Sequence, residues 1–282
     1  MFDISVQIIT FNEEKNIEKC IQSILPLTNK IFVVDSGSTD KTVEICKKYN
    51  VSVEYRKFTN HAEQFNWGLD TFDFDTTWIM RMDADEEITA ELIEDLKSFL
   101  SAPPENVTGV YIKRRVYFMG RWIKHGGYYP TWLLRVFKHG VGRCENLWMD
   151  EHIVVENGET IQIHNDIIDK NNKNLSFWTD KHNKYSDREV MDMINKIENI
   201  QNSEVSLSTG QASVRRWVKD KIYLKFPLFL RPFLYFIYRY FIKLGILDGR
   251  EGLIFHFLQG FWYRFLVDAK FYEYKKAQKM DV

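Results

Sequence analysis

The chain has 282 residues, 45% hydrophobic and 27% charged, a globular balance that excludes an intrinsically disordered chain. A formal net charge of −1 gives no reason to expect nucleic acid as a partner. The three cysteines, Cys20, Cys46 and Cys144, are odd in number and form no CxxC pair. That argues against a disulfide framework or zinc site and fits a reducing cytoplasm.

The sequence opens on a buried-strand pattern, Ile4–Thr10, without the basic segment and apolar stretch of a signal peptide. Ile17, Cys20, Ile21 and Ile24 follow at helical spacing, and Pro26 ends that helix. Ile31–Val34 is a second strand. Ser38-Thr39-Asp40 offers an N-cap to a helix through Val43, Ile45 and Cys46. Val51–Tyr55 reads as a strand, His61–Leu69 as a short helix and Trp78–Met82 as a strand. Thr89–Leu100 is a helix stopped by Pro103-Pro104.

Strands alternating with helices imply a largely parallel sheet covered on both faces, with ligands beyond the carboxyl ends of the strands. Asn12-Glu13, Asp35–Asp40 and Asp83-Ala84-Asp85 each follow a strand, so all three should meet at one edge. From residue 109 the pattern changes to strands at Gly109–Phe118 and Trp132–Phe137. Next come His152–Glu156 and Thr160–His164, with a hairpin expected at Asn157-Gly158-Glu159. Leu175–Ile200 reads as a long polar helix, and residues 203–213 as a linker.

Between Gln211 and Gly245 stand eight basic residues against one acidic, Asp220, interleaved with aromatics such as Trp217, Phe233 and Phe241. No stretch there stays uncharged for the roughly 18 residues a spanning helix needs. Basic and aromatic residues mixed in this way suit a segment lying in a lipid headgroup layer; a basic face packed on the catalytic domain, or a dimer interface, is the alternative.

The chemistry-bearing residues cluster. Met82-Asp83-Ala84-Asp85-Glu86 places two carboxylates one residue apart at a strand end. One can reach a ribose or a metal-bound water and the other a divalent cation, which takes oxygen ligands. The bland account is an acidic loop capping the helix near Thr89. Asp35 at a strand end can accept a hydrogen bond from uracil N3–H, although a turn plus N-cap would also explain Asp35–Asp40. Thr10, Asn12 and Glu13, at a third strand end, could line a nucleotide cleft, although a solvated loop alone would explain them better.

These three motifs, with Gln64-Phe65-Asn66-Trp67-Gly68-Leu69, resemble the inverting family 2 glycosyltransferases of GT-A fold over roughly residues 3–190. That likeness implies an α/β, Rossmann-like mixed sheet with helices on both faces. A catalytic domain would occupy 1–202, with a nucleotide-binding half 1–100 and an acceptor-side half 101–202. A helical, basic-aromatic extension would follow at 203–282. Asp35 would contact the base, Asp83 the ribose or metal-bound water, and Asp85 a Mg²⁺ or Mn²⁺ ion; Thr10, Asn12, Glu13 and Gln64 would complete the nucleotide site. Trp148-Met149-Asp150-Glu151-His152, His182–Ser186 and Phe261–Tyr274 resemble a subgroup that builds lipopolysaccharide core or surface glycans.

An inverting transfer needs a general base, for which Asp150 and Glu151 are the candidates, Glu151 being favoured for its place before His152. His152 is a candidate third metal ligand, against a structural role. Trp122, Tyr128 and Tyr129, in an aromatic loop expected to be flexible, and His182 and Tyr185, three apart on one helix face, are acceptor-side candidates. Aromatic packing is the competing account. The resemblance implies transfer of a hexose-type sugar from a UDP-linked donor to a glycan or lipid-linked acceptor, and the basic-aromatic segment places the protein at the inner, cytoplasmic face of the membrane. A nucleotidyltransferase would instead show a glycine- and lysine- or arginine-rich loop after the first strand, where Phe11-Asn12-Glu13-Glu14 stands. A noncatalytic scaffold is countered by the intact Asp83 and Asp85.

Overall fold

The computed structural model describes residues 2–145, 151–197, 213–214, 217–218, 221 and 223–278. It divides into two compact units, Met1–Tyr117 with Pro130–Asn172, and Phe118–Tyr129 with Lys173–Val282.

The first unit is built on a mixed sheet. Ile4–Thr10 (β1), Ile31–Asp35 (β2) and Trp78–Asp83 (β4) are largely apolar runs, Ser52–Tyr55 (β3) is a mostly exposed edge strand, and they pair in parallel in the order β3-β2-β1-β4. The sheet continues through Thr131–Lys138 (β8), antiparallel to both β4 and Val107–Phe118 (β6). Glu159–Lys170 (β11) runs parallel to β6 and antiparallel to the short edge strand Glu86–Ile88 (β5).

Alternation along β1 sends Ile4, Val6 and Ile8 to one face. There they meet Ile17, Cys20, Ile21 and Ile24 of helix Ile17–Ile24 (α1), Cys46 of Thr42–Lys48 (α2), and Leu92 and Leu96 of Ala90–Ser101 (α4). Helix His61–Thr71 (α3) covers the other face, where Ala62, Phe65 and Leu69 pack with Ile79, Leu134 and Phe137. Gly68 lets α3 close on the sheet: a Cβ there would stand 2.1 Å from Gln7 Nε2 and 2.7 Å from Val34 Cγ2. The core is therefore double-sided, as expected for this α/β fold, and its central strands end at one polar edge.

Several expectations are corrected. No hairpin joins 152–156 to 160–164: Ile153–Val155 (β10) pairs antiparallel with Gly142–Cys144 (β9) in a separate two-stranded sheet, while β11 enters the main sheet. Gly158, at φ +86°, still provides the turn. Lys41, just after Ser38-Thr39-Asp40, is the N-cap of α2 by position, and it is the Asp40 carboxylate that accepts from Thr42 N at 3.0 Å. Thr89, the observed cap of α4, accepts from Leu92 N at 3.2 Å. The linker expected at 203–213 falls almost entirely outside the described residues.

The second unit takes in more than the residues after 202. Helix Leu175–Ile197 (α5) belongs to it because Val190 and Ile194 pack against Tyr263, Val267 and Phe271 of helix Tyr263–Ala277 (α8). Leu230–Ile237 (α6) continues into a π-helical stretch Tyr238–Ile242, and Gly249–Phe255 (α7) continues through a π-helical His256–Trp262 into α8. The buried Arg231 guanidinium donates to Asp268 at 2.8 Å, whose other oxygen accepts from Phe229 N. The segment 118–129, which includes Arg121–Trp122 (β7), also belongs here. No helix among the described residues is long and apolar enough to cross a membrane.

Candidate active site

The register places the three motifs side by side: Thr10 pairs with Asp35 across β1 and β2, and Ile9 with Asp83 across β1 and β4. The loops after β1 and β2 are stitched together. Asn12, held in a left-handed conformation at φ +55°, donates its N–H to Ser38 Oγ at 2.8 Å and accepts from Thr39 N at 2.8 Å. Glu13 N donates to Thr42 Oγ1 at 2.7 Å, and Glu14 N to Asp40 Oδ2 at 3.1 Å. The Glu13 carboxylate turns back to Asn16 Nδ2, at 2.7 Å.

Asp35 is the hub of this edge. It is buried, and its carboxylate accepts from Gly37 N, Ser38 N, Ser38 Oγ and Thr10 Oγ1 at 2.6–2.8 Å. Four bonds fill the acceptor sites of a carboxylate. A contact with a base would therefore require Ser38 or Thr10 to turn away. Gln64 is likewise internal, donating to Val34 O at 3.0 Å and Ser36 Oγ at 2.6 Å.

The end of β4 carries a charged cluster. Asp83, its side chain one third exposed, lies 3.1 Å from Arg135 Nη2 and 3.8 Å from Arg81 Nε. Burial opposes ionisation of Asp83, but Arg135 and Arg81 outweigh it and hold the carboxyl well below the usual range. Arg135 also pairs with Glu86, which is 1% exposed and accepts from Asp83 N at 2.9 Å. Burial, with Asp83 and Asp169 nearby, pushes the Glu86 carboxyl up to about 8 despite Arg135. Arg81 reaches across to Glu151 at 3.3 Å. Two residues 68 positions apart, Asp83 and Glu151, thus share one guanidinium.

Asp85, half-buried, accepts from Asn171 Nδ2 at 2.8 Å and, through its backbone carbonyl, from Lys170 N. An Asp carboxylate at a strand end fits a hard cation that takes one or two protein carboxylates and fills its shell from phosphate and water oxygens. His152 is tied to Glu145 through its backbone, donating to Glu145 Oε2 at 3.3 Å and accepting from Glu145 N at 2.9 Å. Among the described residues, no three His, Cys, Asp or Glu side chains gather to hold a metal ion, so His152 is not brought into such a group. Asp150 lies outside the described residues.

The five acceptor-side candidates belong to the second unit. Trp122 and Tyr129 meet edge-on at 5.1 Å. Tyr128 packs under Arg239 at 3.8 Å and against Phe255 at 4.7 Å. The loop expected to be flexible is anchored: His125 donates its backbone N–H to Asp248 at 2.9 Å and brings its ring to 2.7 Å, while Gly126 N reaches Lys243 O at 2.8 Å. Gly126 is required there, since a Cβ would lie 2.1 Å from the ring of buried His256. His182 and Tyr185 do share a helix face, with ring centroids 5.8 Å apart. His182 stacks on Trp178 at 3.5 Å, and burial lowers its pKa to about 4. Packing accounts for Tyr128 and His182.

The residues that sequence reasoning missed are Arg81, Arg135 and Glu86. The available signal was a lone arginine inside each of two apolar runs, Trp78-Ile79-Met80-Arg81-Met82 and Trp132-Leu133-Leu134-Arg135-Val136-Phe137. A buried charge needs a partner, and acids at the strand ends were candidates.

A parallel β-α edge that gathers Asp35, Asp83 and Asp85 defines a nucleotide-sugar-transferase type of α/β domain, the GT-A fold. The chain belongs to glycosyl transferase family 2, whose model matches residues 5–151. It is 32% identical over 152 residues to the lipopolysaccharide core biosynthesis glycosyltransferase LpsC of Rhizobium meliloti, covering 50% of this chain and 53% of that one. It is also 32% identical over 121 residues to the uncharacterized glycosyltransferase RT0209 of Rickettsia typhi, covering 43% and 41% respectively. The matches thus span about half or less of these relatives. Among solved structures, glucosyl-3-phosphoglycerate synthase from Mycobacterium tuberculosis, in complex with Mn²⁺ and UDP-glucose, aligns at 24% identity and a TM-score of 0.34, over 41% of this chain and 44% of that one. S. aureus TarS aligns at 15% identity and a TM-score of 0.47, over 98% and 92%.

Proposed function

We propose that this chain transfers a sugar, with inversion, from a UDP-linked donor to a glycan or lipid-linked acceptor of a bacterial-type surface polysaccharide, at the inner face of a membrane. The observation that carries it is the convergence of Asp83 and Glu151 on Arg81, with Asp85 two residues further on.

In this reading the stitched loops after β1 and β2 form the nucleotide floor. Asp35 reads the base once Ser38 releases it, and Asp83 takes the ribose. Glu151, steadied by Arg81, removes the proton of the acceptor hydroxyl. That oxygen forms a bond to the anomeric carbon from the face opposite the diphosphate, while the bond from anomeric carbon to phosphate oxygen breaks and its electron pair leaves with the UDP. Asp85 would hold a Mg²⁺ or Mn²⁺ ion, which neutralises a diphosphate leaving group when bound.

Turnover of a panel of nucleotide-sugars with Mn²⁺ tests this. Release of UDP from one donor is expected. Glu151→Gln should lower kcat by about 10²–10⁴-fold with little change in donor KM. Asp85→Ala should abolish the Mn²⁺ dependence. Unaltered turnover in both variants would refute the assignment.

A further inference from the structure

The second unit carries an apolar surface that its own fold leaves uncovered. Phe257, Phe261 and Phe265 recur every four residues along one continuous helical run, with successive ring centroids 5.4 and 5.7 Å apart. From α6, Phe233 and Phe236 each meet Phe261 at 6.5 Å, and the preceding Phe229 meets Phe265 at 5.2 Å. The rings form one connected ladder across two elements. It is not core: Phe233 is 51% exposed, Phe257 46% and Phe265 40%, whereas Tyr263, Val267 and Phe271 take the buried positions of α8. Leu244, Ile246, Leu247 and Leu253 add further exposed aliphatic surface.

Along the segment that carries the ladder, the exposed charges are of one sign. From residue 221 to 265, every described side chain that is both charged and exposed is basic: Lys221, Lys225, Lys243 and Arg250. The acids in that span, Asp248 and Glu251, are buried or half-buried. A second copy laid on the same face would bring like charges together. An anionic bilayer accepts both features, since phosphates meet the lysines and arginine while acyl chains meet the rings.

We propose that the phenylalanine ladder inserts into the headgroup–acyl boundary of an anionic bilayer, so that the chain is held there by apolar burial and oriented by its basic residues. The inference rests on the membrane-facing function above and adds the surface and the mode of attachment: insertion without spanning, and mainly hydrophobic.

The test is co-sedimentation of the full chain with phosphatidylglycerol–phosphatidylcholine vesicles and with phosphatidylcholine alone, at low and high salt, with light scattering to give the oligomeric state. Wild type should bind the anionic vesicles and keep a salt-resistant fraction. Phe233→Ser with Phe257→Ser, both surface positions, should weaken partitioning about thirtyfold at either salt. Lys225→Glu with Lys243→Glu should weaken it at low salt only. Wild-type binding that the serine pair leaves unchanged would overturn the ladder and spare the membrane function. No vesicle binding by wild type would overturn both. A dimer that the serine pair splits would identify a second copy as the occupant and overturn the lipid assignment.

Discussion

Replacing Glu86 with glutamine should change the pH dependence of stability in a way that fixes its ionisation state. Two influences compete at this carboxyl. Arg135 pairs with it and favours the anion; its burial, with Asp83 and Asp169 close by, favours the acid and raises it to about 8. A group whose folded pKa lies above its unfolded value stabilises the fold fully at low pH and loses that contribution as pH climbs through the folded pKa. Between about pH 4.5 and 8 the native state keeps one proton that the unfolded chain releases, a slope of about 1.4 kcal/mol per pH unit. From about pH 6 to about pH 7.5 the wild type should therefore lose about 2 kcal/mol relative to Glu86→Gln, whose amide cannot titrate. Urea denaturation of both proteins at the two pH values, followed by fluorescence, measures the difference. If the two proteins keep a constant separation, Glu86 is ionised throughout and Arg135 prevails over burial.

Arg231→Met should leave Asp268, 1% exposed, without its guanidinium and cost the second unit about 3–5 kcal/mol, read as a fall in melting temperature. His256, fully buried and lowered to about 4 by burial and by Arg239, should make that unit less stable as pH falls from about 6.5 toward 4, because the unfolded chain takes up the proton first. Thermal melts across that range should show a smaller loss for His256→Gln. Gly68→Ala should cost about 1–3 kcal/mol, since its methyl meets Gln7 and Val34 between α3 and the sheet; an unchanged urea midpoint would show that α3 can lift away freely.

The first hundred residues were legible because most of their strands are short, largely apolar runs and their helices bury a regular stripe. Ile4–Thr10 emerges with the bounds its sequence suggests. Each motif could be placed at a strand end, and adjacency in the sheet then did the gathering. Glu86–Ile88 and Gly142–Cys144 escaped notice because three residues carry no periodicity. The false hairpin came from a true local turn at Gly158; strand pairing was decided by more distant partners. Arg81 and Arg135 stood out as lone charges in apolar runs, but their partners did not. A buried ion pair joining positions 81 and 151, or 135 and 86, leaves no trace in spacing.

The stitching of the loops after β1 and β2 has a consequence for how this edge can diverge or be re-engineered. Asn12 and Thr39, Glu13 and Thr42, and Glu14 and Asp40 each supply the other's missing partner. Replacing Asn12 on one side, or Thr42 or Asp40 on the other, strands a backbone amide on the opposite side. New sequences at this edge are therefore reached by exchanging both segments as one cassette, and libraries that randomise one loop at a time should yield many destabilised proteins.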